Sequence, residues 1–194
     1  MNLLVLGPQG AGKGTQAKRV AAEYEIPHVS TGDMFRAAIA SGSELGRKVE
    51  PILAAGELVP DELTVALIGA RLAEPDARDG FVLDGFPRNL AQCDALDAML
   101  SGIGRALDAI LYFDLPDDVA TDRMLRRAQE ENRPDDTPAT IGRRLEIYHA
   151  ETEPLVSYYD ERGLLRRVDG TRSPVEVHDH VRAVLATLRL EEDL

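Results

Sequence analysis

Residues 7–15 read GPQGAGKGT, and Gly7, Gly12 and Lys13 within them match the spacing GxxxxGK. Glycines at this spacing let backbone N–H groups turn inward onto phosphate oxygens, and the lysine adds a fixed positive charge. With ordinary glycine usage the bare pattern arises by chance in roughly one chain in ten or twenty of this length. Its setting is more specific. The apolar run Leu3–Leu6 precedes it as a strand candidate, and Lys13 to Tyr24 follows as an amphipathic helix with Ala17, Val20, Ala21 and Tyr24 on one face. Strand, loop and helix come in the order that points a helix N-terminus at an anion. After Lys13, where a magnesium-holding hydroxyl is usual, stands Gly14, with Thr15 one place later. Thr15 is then the hydroxyl within reach, and a metal held mainly by phosphates and water is expected.

Arginine forms a second constellation, at Arg36, Arg88, Arg123, Arg127, Arg133 and Arg144, each expected at the end of an element or in a polar loop. A lone arginine is more often a solvated surface residue than a site residue. Arg88 is different. In DGFPR (84–88), Gly85 and Pro87 impose a tight turn after the strand candidate FVLD, and the guanidinium fork presented there suits a phosphate. Asp84, which closes that strand, has the chemistry of an acidic partner that orients magnesium or its waters. An aspartate that simply caps the turn is the competing reading.

The elements that must hold these groups alternate. Strand candidates at 2–6, 26–30, 81–84, 109–114 and 164–168 are separated by helical stretches, which predicts an α/β fold with a parallel sheet covered on both faces. Functional loops in such sheets lie beyond the carboxyl ends of the strands, near Gly7, Thr31, Gly85 and Leu115. Within 31–60, Gly42, Gly46, Pro51, Gly56 and Pro60 break short helical patterns, the signature of a small helical flap. Residues 127–137 (RAQEENRPDDT) hold almost nothing apolar and are expected to form a surface lid. The chain divides into a core of 1–29, 60–126 and 138–194, a flap of 30–59 and a lid of 127–137.

With 194 residues the chain is expected to form one domain. A formal charge of −12 and an isoelectric point near 4.8 argue against nucleic-acid binding, which needs a basic patch. The single cysteine, Cys93, excludes an intrachain disulfide and a cysteine-based zinc site. With neither a long apolar run nor a leader-like N-terminus, a soluble cytoplasmic protein without a membrane partner is expected.

Taken in order, GPQGAGKGTQ (7–16), STGDMFR (30–36), GELVPDELT (56–64), FVLDGFPRN (81–89) with Gln92, DRMLRR (122–127), RPDD (133–136) and RRLEIYHAETEPL (143–155) resemble the nucleoside monophosphate kinases, specifically adenylate kinases of the short-lid type. Nearly the whole chain takes part. The resemblance implies a P-loop NTPase fold with a five-stranded parallel sheet, a flap that binds the monophosphate and a short lid. It implies reversible phosphoryl transfer from MgATP to AMP, giving two ADP and balancing adenine nucleotides, by a monomer. Gly10, Ala11, Gly12, Lys13, Gly14 and Thr15 would hold the ATP phosphates, joined by Arg123 and Arg127, with Arg172 by the ATP adenine. Thr31, Arg36, Glu57, Leu58 and Val59 would enclose AMP together with the turn Gly85, Phe86, Pro87 and Arg88, and Gln92 would meet the adenine edge. Arg133 and Arg144 would bridge the AMP phosphate and the transferred group. Catalysis would rest on Lys13, Arg88, Arg123, Arg133 and Arg144, with Asp84 beside the magnesium. Arg126 stands where relatives commonly have glycine, and Pro134 stiffens the lid. The lid holds no Cys or His, so the zinc site of some longer-lid relatives is excluded.

The acceptor in this reaction is a phosphate oxygen already anionic at neutral pH, because the second pKa of a phosphate monoester is about 6. No general base is needed, and the four histidines, His28, His149, His178 and His180, read as structural or surface residues. Catalysis is then positioning plus cations, with water excluded by closure of flap and lid. The rivals are a UMP/CMP kinase, a catalytically silent adenine-nucleotide sensor and a nucleotide-hydrolysing switch. Thr31 and Gln92 favour AMP over pyrimidine monophosphates in the resemblance, and the chain lacks the NKxD guanine-reading motif.

Overall fold

The computed structural model describes residues 1–130 and 136–192. Strands β1 (Asn2–Leu6), β2 (His28–Ser30), β3 (Phe81–Asp84), β4 (Ala109–Asp114) and β5 (Leu165–Asp169) form one parallel sheet in the order β2-β3-β1-β4-β5. All five expected strands are present. β2 starts at His28 rather than residue 26 because the Ile26 N–H bonds the Ala21 carbonyl and Pro27 has no N–H to offer a ladder. The order reverses around β1, which pairs with β3 on one side and β4 on the other, so a crevice opens beyond its carboxyl end.

The sheet is buried on both faces, and β1 is buried along its whole length, which explains its unbroken apolar run. Its side chains alternate: Leu3 and Val5 join one core cluster, Leu4 and Leu6 the other. The first cluster takes apolar side chains from α1 (Lys13–Tyr24), α6 (Asp117–Glu130), α7 (Pro138–Ile147) and α9 (Pro174–Glu192). The second takes them from α4 (Asp61–Leu72), α5 (Leu90–Gly102) and α8 (Pro154–Asp160). A wide π-helical turn, Tyr148–Thr152, joins α7 to α8.

The segment 30–59, expected to be a helical flap, holds two short helices, α2 (Thr31–Ala40) and α3 (Glu44–Ala54). Ser30 and Ser43 cap these helices by accepting from the Asp33 and Gly46 N–H groups. The flap has a small core of its own, Phe35, Val49 and Val59, separate from the two clusters on the sheet. Toward the lid, α6 continues as regular helix through Glu130, so Arg127 belongs to a helix. Asp136 is buried, against the expectation of a surface segment across 127–137. The physical reason is that two arginines pair with it. The arginines also depart from the expected element ends, since Arg36 and Arg123 sit within α2 and α6.

Close packing of α2 on α3 depends on Gly46, where an added Cβ would lie 2.1 Å from the Ala38 carbonyl oxygen. Gly46→Ala is expected to strain this contact by about 1–3 kcal/mol. Amide hydrogen exchange should rise across 31–54 while the sheet strands keep their protection; unchanged flap exchange would refute the account.

Candidate active site

A cavity of about 890 Å³ lies at the carboxyl ends of the strands, walled by residues 7–18, the 84–88 turn, α2, the end of α3, α6 and α7. Cations dominate its lining: Lys13, Arg36, Arg88, Arg123, Arg127 and Arg144 all reach it, in a chain of formal charge −12. That contrast marks a site for a polyanion.

One half is built by the loop and α1. Gly10 and Gly12 take positive φ of 83° and 85°, which turns the backbone back on itself before the helix. Gly12 caps α1 without a side-chain hydrogen bond, leaving the first helical N–H groups for an anion. The Lys13 Nζ donates to the Gly7 and Pro8 carbonyls, each at 2.7 Å, and so closes the loop from inside. Loss of bulk hydration lowers this ammonium to about 8; the Asp84 charge opposes the shift, and Arg88 and Arg127 add to it. Arg123 donates to the Gly170 carbonyl at 2.8 Å, tying α6 to the segment after β5. Arg172 lines the cavity while exposed, its Nε 3.2 Å from Asp169.

Between the halves stands Asp84, held by ladder pairing to Val5 of β1 and Ser30 of β2. Its Oδ2 is 3.2 Å from the His28 Nε2. His28, expected to be a structural or surface residue, is a structural one, because register places the first residue of β2 near the last of β3. Burial pushes the Asp84 carboxyl up, but the His28 hydrogen bond and the charges of Lys13, His28 and Arg88 outweigh it and hold it below its ordinary value. A side chain at position 14 would sit 3.3 Å from Asp84 Oδ2, so Gly14 leaves the carboxylate open to the cavity. One ionised oxygen ligand in a roomy polar site fits a magnesium ion that keeps most of its water.

The other half is built around the 84–88 turn, whose Phe86–Pro87 peptide is cis. The Arg88 Nε donates to the Gly85 carbonyl at 2.8 Å, and Thr152, from the π-helical turn, donates to the Arg88 carbonyl at 2.7 Å. Burial lowers the Arg88 guanidinium from its ordinary value, with Asp84 opposing and Arg144 and Arg36 adding. The Thr31 hydroxyl donates to the Gly85 carbonyl at 3.0 Å, and the Gln92 Oε1 accepts from the Arg88 N–H at 2.8 Å. Arg36 pairs with Asp33 at 2.6 Å. From α7, Arg144 pairs with Asp136, as does Arg127 from α6 at 2.6 Å, and the Asp136 side chain is fully buried between them.

The structure therefore gathers the loop residues 10–15, Arg36, Glu57, Leu58, Asp84, Gly85, Pro87, Arg88, Arg123, Arg127, Arg144 and Arg172 around one cavity. Thr31, Val59, Phe86 and Gln92 are buried instead of lining it. Arg133, with most of the proposed lid, lies outside the described residues. The sequence reading missed His28, Asp136 and the Arg143–Glu57 pair, in which Arg143 Nε reaches Glu57 Oε1 at 2.7 Å from 86 residues away. The RPDD phrase contained Asp136, but nothing local marked its burial.

The family described as adenylate kinase has a sequence model that matches residues 5–164. An adenylate kinase of Clavibacter michiganensis subsp. michiganensis is 52% identical over 184 residues, covering 95% of this chain and 92% of its own. Adenylate kinases of Parvibaculum lavamentivorans and Xanthomonas campestris pv. campestris (strain 8004) are 48% and 45% identical, each over 95% of this chain and over 92% and 99% of their own.

With Lys13 lowered to about 8, half of its ammonium is neutral near that pH before any anion arrives. A triphosphate favours the charged form and raises the value again, so ATP binding at a pH of about 9 should take up close to one proton. Calorimetry in buffers of different ionisation enthalpy reads this uptake, and Lys13→Arg should abolish it. No uptake in the wild-type protein would contradict the assignment of Lys13 to the phosphates.

Proposed function

Because this chain belongs to the adenylate kinase family and transfers a phosphoryl group from ATP to AMP, we propose that the two halves of its cavity divide the nucleotides between them. ATP phosphates occupy the loop, the α1 N-terminus, Lys13, Arg123 and Arg127. The AMP phosphate meets Arg88, Arg36 and Arg144, with its base toward Thr31 and Gln92. The observation that carries this division is the pairing of two anion-binding frameworks, the uncapped α1 terminus with Lys13 and the 84–88 turn with Arg88, around one cavity. A single-nucleotide switch or hydrolase has no use for the second framework. The UMP/CMP-kinase and silent-sensor readings are not favoured by the family or by its named members.

The chemistry follows from charge. The AMP oxygen that attacks is already an anion, so no residue has to remove a proton from it. Lys13 and the arginines bring two polyanions together in line and stabilise the charge on the equatorial oxygens of a loose transition state. Asp84 would hold a magnesium ion bound with ATP, and that ion would supply further positive charge to the phosphates. Thr15 and the backbone of 10–15 complete the donor side. Closure of 30–59 and 127–137 over the nucleotides excludes water as a competing acceptor, with Arg133 on the transferred group. We place the enzyme in the cytoplasm as a monomer; among the described residues no helix is long and apolar enough to cross a membrane.

A coupled assay with ATP and each nucleoside monophosphate in turn tests the assignment: AMP should be the preferred acceptor, with two ADP formed per turnover. Arg88→Ala is expected to lower turnover about a thousandfold, and Arg126→Ala only mildly. A loss of tenfold or less at Arg88 would remove it from the transferring group. Asp84→Asn should raise the magnesium concentration needed for ATP binding, measured by calorimetry at varied magnesium; an unchanged requirement would leave Asp84 as a turn cap.

A further inference from the structure

Gln92 is buried, and both ends of its amide are held by partners whose chemistry allows one orientation only. The Arg88 N–H can only donate, so the Oε1 faces it at 2.8 Å. At the other end the Nε2 donates at 2.7 Å to Oδ1 of Asp61, the first residue of α4. The same oxygen receives the Asn89 Nδ2 at 3.0 Å, while the Asn89 Oδ1 caps α5 by accepting the Gln92 N–H at 2.9 Å. A reversed Gln92 amide would set N–H against N–H at Arg88 and oxygen against carboxylate at Asp61. Both contacts would be repulsive.

We infer that Asp61 is a specificity-determining positioning residue, which acts on the acceptor base through Gln92 by fixing the direction of its amide. This rests on the reading that Gln92 meets the AMP base. With its two bonds made, Gln92 keeps one oxygen lone pair and one N–H for a ligand. Adenine presents an amino donor at N6 beside an acceptor at N1, which these two groups satisfy. Hypoxanthine presents the reverse, an oxygen acceptor beside an N1–H donor, and would need the reversed amide. Asp61 makes that reversal costly, and a mispaired polar group is what separates one base from the other. AMP and IMP carry the same phosphate and ribose, so Arg88, Arg36 and Arg144 do not distinguish them.

The test compares kcat/KM for AMP and IMP in D61N, D61A, N89A and Q92A, alongside thermal midpoints and the KM for ATP. An asparagine at 61 can offer a reversed Gln92 an N–H donor and an alanine offers it no opposing oxygen, so each lifts one of the two barriers to reversal and leaves only the Arg88 N–H. In both, the AMP-to-IMP ratio should fall at least about tenfold, with IMP turnover rising in D61N and the KM for ATP staying within about twofold. N89A should lower the thermal midpoint through the lost α5 cap yet keep the ratio, which separates base selection from a structural role. A ratio within about twofold of wild type in D61N and D61A, with Q92A losing it, overturns the inference alone. A wild-type ratio in Q92A removes Gln92 from the base and overturns the reading beneath it.

Discussion

The organising constraint of this molecule is the repulsion among cations gathered at one edge of a parallel sheet. Guanidinium and ammonium groups drawn out of bulk water repel one another strongly and lose hydration as well. Two carboxylates answer this, one partly buried and one fully buried. Asp84 stands near Lys13 and Arg88 at the end of β3, and Asp136 is shared by Arg127 and Arg144. Lys13 also spends two of its N–H bonds on carbonyls of its own loop. The site is thereby folded and charged before any nucleotide is bound, which is what a catalyst working by electrostatic preorganisation requires. Nucleotide phosphates add negative charge that offsets the cations these carboxylates leave unbalanced.

The same constraint explains how the parts are mounted. Asp84 closes β3 and is paired in register with Val5 of β1, while Lys13 and Arg88 stand beyond the carboxyl ends of β1 and β3 on the loop and turn those strands launch. The segment 30–59 and α7, which carry Arg36 and Arg144 of the proposed acceptor side, touch through the exposed Arg143–Glu57 pair and an Arg144 hydrogen bond to the Leu53 carbonyl. An exposed ion pair is screened by salt and holds weakly, so this contact can be broken and remade without disturbing the sheet. The segment 30–59 has a small core of its own, separate from the two clusters that cover the sheet.

Much of this was legible in residue order. The five strands, the α1 boundaries and the short helices after β2 follow from apolar periodicity and glycine and proline punctuation, which are local signals. GPQGAGKGT and DGFPR declared phosphate chemistry because their backbone geometry is written into their glycines and prolines. The partner of His28 and the burial of Asp136 were not legible, for a common reason. The role of each is set by partners that chain order does not place beside it: a strand neighbour 56 residues away for His28, and two guanidiniums on different helices for Asp136. A polar segment looks solvated in sequence whenever the charges that bury it come from elsewhere.

By itself, then, the sequence determined the phosphate loop, the strand order along the chain and the family, because each is encoded in contiguous spacing. The tertiary structure decided what each charged side chain is paired with. It turned Asp84 toward the loop, buried Asp136 and locked the Gln92 amide between Asp61 and the Arg88 N–H. Those outcomes depend on sheet register and helix packing, which set distances between residues that no local pattern relates.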